Sequence, residues 1–521
     1  MRGMRVWPTI AWALCAIIPV AGILSSPSAG IVQPAQPRQA TELRTGPTMV
    51  VDPTAGPDPT TVTVDTSGNV AGEIGNGYIG LSFESGTLNS GQFNDVGDLP
   101  QLLRNLGSSV MRLGGNSVDT SYTGITPSAL AGLARLARAA GWTVLYSEDL
   151  GHFNSADVTA DTRAVSAALG GSLYAFACGN EPDDYKGNGL RPKSYTVSDY
   201  LTESATCFAA IRAGAPGVPL EGPDTAHSSW LAAYAARWAG QLGALGEHYY
   251  PLGCSTQGKS LGELASTMLS PAQAATEAAA FAQDKTDADV AGAPLLISET
   301  NSACHGGIHG LSNSFAAALW VVDYLLTGAE NGVAGMNFHG ALNNHCSGYT
   351  PLCQVGPKEW RAQPIYYGML FTRLLGAGQL LPVTVSTSGN VTAFALKPAD
   401  GGDLRLMVEN LTQNSADVSL QVAGAQTASV LHLTAPSLLA TSGVRIQGAS
   451  VAANGSLQPG KANTARCSSG GCPITLAPYT AALVTVTQLI AGDDALSQFP
   501  RGLSRGYPRV IPPGRWAASG F

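Results

Sequence analysis

The sequence predicts an α/β fold, a (β/α)8 TIM barrel with a C-terminal β-sandwich domain, and three observations carry that expectation. Short apolar runs of strand length alternate with helical patterns eight times between residues 75 and 378. Two of those runs end on a glutamate, residues 173–178 leading into Asn180-Glu181 and residues 294–298 into Glu299. The C-terminal ends of parallel barrel strands are where such folds place their chemistry. Beyond residue 379 the helical patterns give way to short β-rich runs between turn signals, the pattern of a sandwich.

In chain order, Arg2 and Arg5 precede an apolar run and a small-residue exit, so residues 1–30 read as an export signal. Pro19 inside the run argues against a stable membrane anchor. Residues 31–60, rich in Pro, Gly and Thr, read as a linker, and 61–74 as a strand segment joining the sandwich. The barrel, 75–378, is expected to place strands at 78–84, 109–113, 143–146, 173–178, 218–221, 244–249, 294–298 and 333–338. Helices are expected at 99–106, 127–140, 158–169, 200–213, 228–238, 271–282, 313–326 and 366–375. The sandwich occupies 379–487, and 488–521 reads as a poorly ordered tail.

Composition narrows the class. With 45% hydrophobic and only 12% charged residues, the chain can bury a large core. A net charge of −8 and the absence of a basic cluster argue against nucleic acid as a partner. Of nine cysteines, Cys15 leaves with the signal, and the remaining even number in an exported chain points to disulfides and a secreted, extracellular location. Cys346–Cys353 and Cys467–Cys472 are the expected pairs because they lie close in sequence. Cys178, Cys207, Cys254 and Cys304 stay open between further bridges and buried thiols. His305 and His309 are four apart, but Gly306-Gly307 between them disfavours a helical metal pair, so neither metal nor cofactor is expected.

Two motif matches mislead. Residues 253–260, Gly-Cys-Ser-Thr-Gln-Gly-Lys-Ser, fit a phosphate-binding loop letter for letter and raise the alternative of a nucleotide-dependent protein. Such a loop needs a strand running straight into it, and Pro251 interrupts the approach. Gly502-Leu-Ser504-Arg-Gly506 fits a nucleophile elbow but lacks a flanking strand and any following histidine.

Glutamates on two strand ends suit acid–base and nucleophilic work on a glycosidic bond. Around them, Arg112-Leu-Gly-Gly-Asn116, Ala177-Cys-Gly-Asn-Glu-Pro182 and Ile297-Ser-Glu-Thr-Asn-Ser302 resemble the motifs of family 79 glycoside hydrolases, clan A retaining enzymes that include β-glucuronidases and heparanase. Gly246-Glu-His248-Tyr249-Tyr250 and Gly348-Tyr349 are similar to that family too, and the resemblance spans residues 61–487. It implies Glu181 as acid/base and Glu299 as nucleophile. The acid has to be protonated near neutral pH and the nucleophile ionised. Tyr249 is the expected donor to Glu299, with Arg112 as a supporting cation beneath the site and His248 beside it. Asn180 is expected to serve the sugar 2-hydroxyl, and Glu84 and Asn116 the outer hydroxyls.

The resemblance further implies that Gly348 and Tyr349 hold the C6 carboxylate of a uronic acid. The expected substrate is thus a carbohydrate, a β-linked glucuronide. A chain with seven lysines and net negative charge is expected to grip that group with oriented donors. Another clan A β-glycosidase, cleaving glucosides or xylosides, shares both glutamates and remains the alternative, followed by a catalytically silent carbohydrate-binding barrel.

Overall fold

A computed structural model describes residues 60–488 except 257 and 388. The expected export signal, linker and tail lie outside the described residues apart from Thr60 and Gln488, as do Cys15 and the 502–506 motif. Among the described residues no helix is long and apolar enough to cross a membrane.

Eight parallel strands form the barrel: β1 Ile79–Glu84, β2 Val110–Gly114, β3 Thr143–Glu148, β4 Leu173–Cys178, β5 Glu221–Thr225, β6 Ala244–Tyr249, β7 Leu295–Thr300 and β8 Val333–Gly340. Hydrogen-bonded neighbours run β4-β3-β2-β1-β8-β7-β6-β5. The seam between β4 and β5 closes through a bridge from Phe176 to Leu220 and the Glu181 N–H, which donates to the Asp224 carbonyl at 2.8 Å. All but β4 have nearly every residue buried, as both faces of a parallel barrel strand demand. Helices wrap the outside; the most apolar of them, Phe315–Glu330, is buried over nearly its whole length against the helix Pro364–Leu375 and β8.

The fifth strand corrects the sequence reading. The apolar stretch 218–221 was expected to form it, yet the strand is Glu221-Gly-Pro-Asp-Thr225. Local sequence there reads as a turn. Pairing with β6, Glu221 opposite Ala244 through Thr225 opposite Glu247, overrides it. A second correction concerns the helix Leu261–Met268, which periodicity did not single out. It opens at Ser260 through a capping box with Glu263. The phosphate-loop match just before it is tied by a disulfide from Cys254 to Cys304 and is separated from β6 by Tyr250, Pro251 and Leu252.

The second layer pair is a β-sandwich. Thr60–Val64 pairs with Val383–Ser386 and, in parallel, with Ala416–Gln421, which in turn pairs with Cys472–Leu476. The facing sheet contains Gly378–Leu381, Val391–Pro398, Leu404–Asn410, Thr480–Gln488 and Ala425–Thr434. Its core is aliphatic: Val62, Leu406, Leu420, Val430, Leu476 and Val484 are buried together. Thus residues before the barrel complete the domain after it. Among the described residues four disulfides are formed, Cys178–Cys207, Cys254–Cys304, Cys346–Cys353 and Cys467–Cys472.

Candidate active site

A cleft of about 770 Å³ opens at the C-terminal end of the barrel strands. Glu84, Asn116, Glu181, Tyr249, Glu299, Gly348 and Tyr349 all line it, and among the described residues the lining includes no lysine or arginine. Asn180 and Arg112 lie behind the wall, 2% and 0% exposed. Glu84 and Glu299 stand on strand ends, and Glu181 three residues beyond one.

Glu181 follows β4 through Gly179 and Asn180. Its backbone is left-handed, φ 49° and ψ 56°, although it precedes Pro182, where an extended conformation is preferred. The bond to the Asp224 carbonyl and a return bond from the Asp184 N–H to the Glu181 carbonyl, 2.9 Å, hold that conformation. Backbone held in a sparsely populated region by its surroundings is characteristic of functional sites. The carboxylate faces His248 Nδ1 at 3.0 Å.

Glu299, on β7, is held more tightly. Tyr250 Oη donates to its Oε1 at 2.7 Å, Arg112 Nη1 donates to Oε2, and His339 Nδ1 approaches Oε2 at 3.3 Å. Burial by itself would raise the Glu299 pKa, but His339, Arg112 and Tyr250 work against it and the carboxyl is held far below its ordinary range. His339 responds reciprocally: burial works against its charge, yet Glu299 and Glu84 raise it above the usual imidazole value. Arg112 spans the floor, donating also to Asn180 Oδ1 at 2.9 Å and Asp224 Oδ2 at 3.1 Å.

The glycines of the Arg112–Asn116 motif have a steric cause. A Cβ on Gly114 would lie 2.6 Å from the Arg112 guanidinium carbon, and one on Gly115 would lie 2.5 Å from the Glu84 carboxyl. Glu84 accepts from the Ser117 N–H at 2.8 Å and stands 3.7 Å from His339 Nε2. Asn180 takes its N–H to Asp119 at 2.7 Å and directs Nδ2 to Asn116 Oδ1 at 3.3 Å. Gly348 passes so close to the Gly306 carbonyl that a Cβ would lie 2.3 Å from it, and the Tyr349 N–H donates to that carbonyl at 3.1 Å. Asn301 ties the same loop down, donating to the Tyr349 and His339 carbonyls at 3.2 and 2.9 Å.

The donor expected at Tyr249 is a correction: Tyr250 bonds Glu299. Tyr249 instead stacks on Tyr324 at 6.4 Å and meets Phe281 edge-on at 5.6 Å. The cause is strand alternation. His248 points inward to Glu181, so Tyr249 points to the helices and Tyr250 inward again. Sequence reasoning also missed His339, although β8 reads Asn337-Phe338-His339 and Phe338 packs outward on Trp320 and Tyr324. Asp224 was missed with its strand.

Two carboxylates within reach of one glycosidic bond, one ionised and donor-rich, the other beside an imidazole, can perform a double displacement. Glu181, His248 and Glu299 each offer an atom within 4.8 Å of the others, which would also suit a metal ion. The Arg112 guanidinium already neutralises Glu299 there.

Solved structures of glycosidases share the barrel-and-sandwich fold and superimpose on it. A 4-O-α-L-rhamnosyl-β-D-glucuronidase from Fusarium oxysporum 12S does so with a TM-score of 0.67 at 22% identity, covering 82% of this chain and all of that one. A family 51 α-L-arabinofuranosidase from Bifidobacterium longum gives 0.62 at 13% identity, covering 83% and 100%. In sequence, the chain is 27% identical over 286 residues to a protein of Aspergillus niger named beta-glucuronidase, 49% of this chain and 52% of that one. A Neurospora crassa protein of the same name matches at 27% over 228 residues, 39% and 40%. The chain thus spans about half the length, or less, of the curated relatives it matches. No protein-family profile matches. The resemblance drawn from the motifs is borne out by these relatives.

Proposed function

We propose that this chain is a retaining glycoside hydrolase that releases β-linked glucuronic acid from glycosides or glycans. The observation that carries the reading is the pair Glu181 and Glu299, with carboxylate oxygens within 4.8 Å of each other. Retaining enzymes bring their two carboxyl groups closer together than inverting ones, which must admit a water between them. Glu299, ionised by its donors, attacks C1 as the C1–O bond breaks. Glu181 gives its proton to the departing oxygen, and a glycosyl ester forms on Glu299. Water then gives a proton to Glu181 and attacks C1, releasing Glu299 and the sugar.

The sugar assignment is supported by Gly348 and Tyr349 in the cleft wall and by the name shared by both relatives. The Gly348 N–H and Tyr349 hydroxyl can supply donors to a carboxylate where, among the described residues, no lysine or arginine lines the cleft. Asn180, Asn116 and Glu84 take the remaining hydroxyls. An exported location is supported by the four disulfides.

The test is a panel of aryl β-glycosides differing only in the sugar, with the first-formed product followed by NMR. The glucuronide is expected to be cleaved best and to yield the β-anomer first. Preference for the glucoside or xyloside overturns the sugar assignment in favour of another clan A β-glycosidase. An α-anomer overturns the retaining mechanism.

A further inference from the structure

We propose that Asp224 is the positioning residue that couples the two halves of the reaction, holding Arg112 on the nucleophile and His248 on the acid. The inference rests on the roles proposed above for Glu299 and Glu181.

Asp224 is fully buried on β5 and lies on the seam that faces β4. Its backbone is left-handed, φ 56°, matching Glu181 across the seam, φ 49°. Three of its atoms connect it to the two glutamates, the carbonyl directly and both carboxylate oxygens through neighbours. The carbonyl accepts the Glu181 N–H at 2.8 Å and so fixes the strained turn that carries the acid. Oδ2 accepts from Arg112 Nη2 at 3.1 Å, while Nη1 of the same guanidinium holds Glu299. Oδ1 accepts the Ser298 hydroxyl, from the residue next to Glu299, and stands 3.8 Å from His248 Nε2.

The imidazole is the informative contact. His248 Nε2 is buried and makes no hydrogen bond, and Asp224 is the anion that faces it. At 3.8 Å the interaction is that of a charge with an N–H dipole rather than a formed hydrogen bond. It favours the tautomer with its proton on Nε2, which leaves Nδ1 as an acceptor 3.0 Å from Glu181 Oε1. That is the arrangement in which a protonated Glu181 is held with its O–H on the imidazole until the leaving oxygen arrives. Asp224 also supplies the charge that Arg112 needs. Of the buried carboxyls Glu221, Asp224 and Glu247, burial drives the first and last strongly upward. Arg112 and the Ser298 hydroxyl work against burial at Asp224 and hold it below its ordinary range.

The isosteric Asp224→Asn variant keeps the volume and removes the charge. Steady-state kinetics are measured on two aryl glycosides of the sugar that wild type prefers, one with a good and one with a poor leaving group. Active sites are counted by covalent trapping with a 2-deoxy-2-fluoro glycosyl fluoride. Expected are KM within about threefold of wild type and a kcat loss of roughly tenfold on the good leaving group, deepening to roughly a hundredfold on the poor one. The good leaving group reports Glu299 through Arg112, and the added loss reports Glu181 through His248.

Unchanged kcat, equal losses on the two substrates, or a loss matched by fewer trapped sites overturns the proposal. Glu409→Gln, an equally buried carboxyl in the sandwich, should leave both rates unchanged. Should Asp224→Asn not fold, Ser298→Ala removes one bond fixing the same carboxylate. It is expected to give the same split at a few-fold scale, and wild-type kinetics would overturn the idea. A wild type that prefers a sugar other than glucuronate defeats the substrate reading alone, because the Asp224 comparison is then made on that sugar. A wild type inactive on every glycoside defeats both.

Discussion

The Glu299 carboxylate receives donors from Tyr250 and Arg112 with His339 close by, and its side chain is 8% exposed. The Glu181 carboxylate, 18% exposed, has one imidazole at 3.0 Å and a backbone held in a left-handed turn. The same functional group is thus presented in two ways. At Glu299 side-chain donors dominate and fix the ionised form against the penalty of burial. At Glu181 the backbone does most of the holding, and the one side-chain partner is the His248 imidazole. The difference assigns the proposed roles through environment rather than through residue type.

The largest test of that contrast removes each glutamate. Glu299→Ala is expected to lower kcat/KM by roughly 10⁴-fold or more even with a good leaving group. Glu181→Ala should lose far less on that substrate, within the range of about 10²–10⁴ typical of general acid–base catalysis. With added azide, Glu299→Ala should form the α-glycosyl azide and Glu181→Ala the β-product. The opposite pairing of products would exchange the roles.

Next in size is the pair of neighbouring tyrosines. Tyr250→Phe removes a hydrogen bond to an ionised carboxylate, about 1.5–3 kcal/mol, and should lower kcat by roughly ten- to a hundredfold. Tyr249→Phe, whose ring faces the helices, should leave kcat within about threefold. Equal losses in the two variants would break the assignment of Tyr250 to the nucleophile.

These residues also mark how far the sequence could be read. Both glutamates were legible because each follows an apolar run bounded by a breaker or a polar cluster, a local signal. Tyr250 was legible in principle, since parity counted from an inward His248 selects it over Tyr249. His339 carried the same parity signal behind Phe338. Asp224 carried none: Glu-Gly-Pro-Asp-Thr looks like a turn, and only pairing with β6 and the charge of Arg112 make it a buried strand. The sandwich strand at residues 60–64 was legible as alternation, whereas its parallel pairing with residues 416–421 depends on long-range register.

A smaller and more selective effect is expected at the sugar carboxylate. Tyr349→Phe should lower kcat/KM on an aryl glucuronide by roughly tenfold, up to a hundredfold, because a donor to a charged group is lost. The matching glucoside should lose much less. Tyr349 also stacks on Tyr250 at 6.3 Å and meets His339 edge-on at 5.9 Å, so a packing role would reduce both substrates alike. Equal losses on the two sugars would leave Tyr349 a supporting aromatic and remove it from carboxylate recognition.

The smallest expected effect separates charge from hydrogen bonding at the nucleophile. His339 is faced by Glu299 and Glu84, by the Arg112 guanidinium, and by Ser82 and Tyr349 as neutral neighbours. Its folded pKa lies above the ordinary 6.5, burial being outweighed by the two carboxylates. A raised histidine pKa contributes stability that is fully present below the unfolded value and lost as pH rises through the folded one. Glu299 works in the other direction: its depressed pKa contributes above the ordinary carboxylate range and is lost as pH falls below it. The two contributions coexist between about pH 5 and 6.5. His339→Gln retains an amide donor and removes the charge, so its melting temperature should fall below wild type by on the order of 2 °C at pH 5.5. Toward pH 9, as the wild-type charge is lost with rising pH, the gap should narrow. Thermal melts of both proteins at the two pH values decide it. A gap that stays constant or widens with pH would mean that His339 supports Glu299 by shape and hydrogen bonding, leaving Arg112 as the cation that holds the proposed nucleophile ionised.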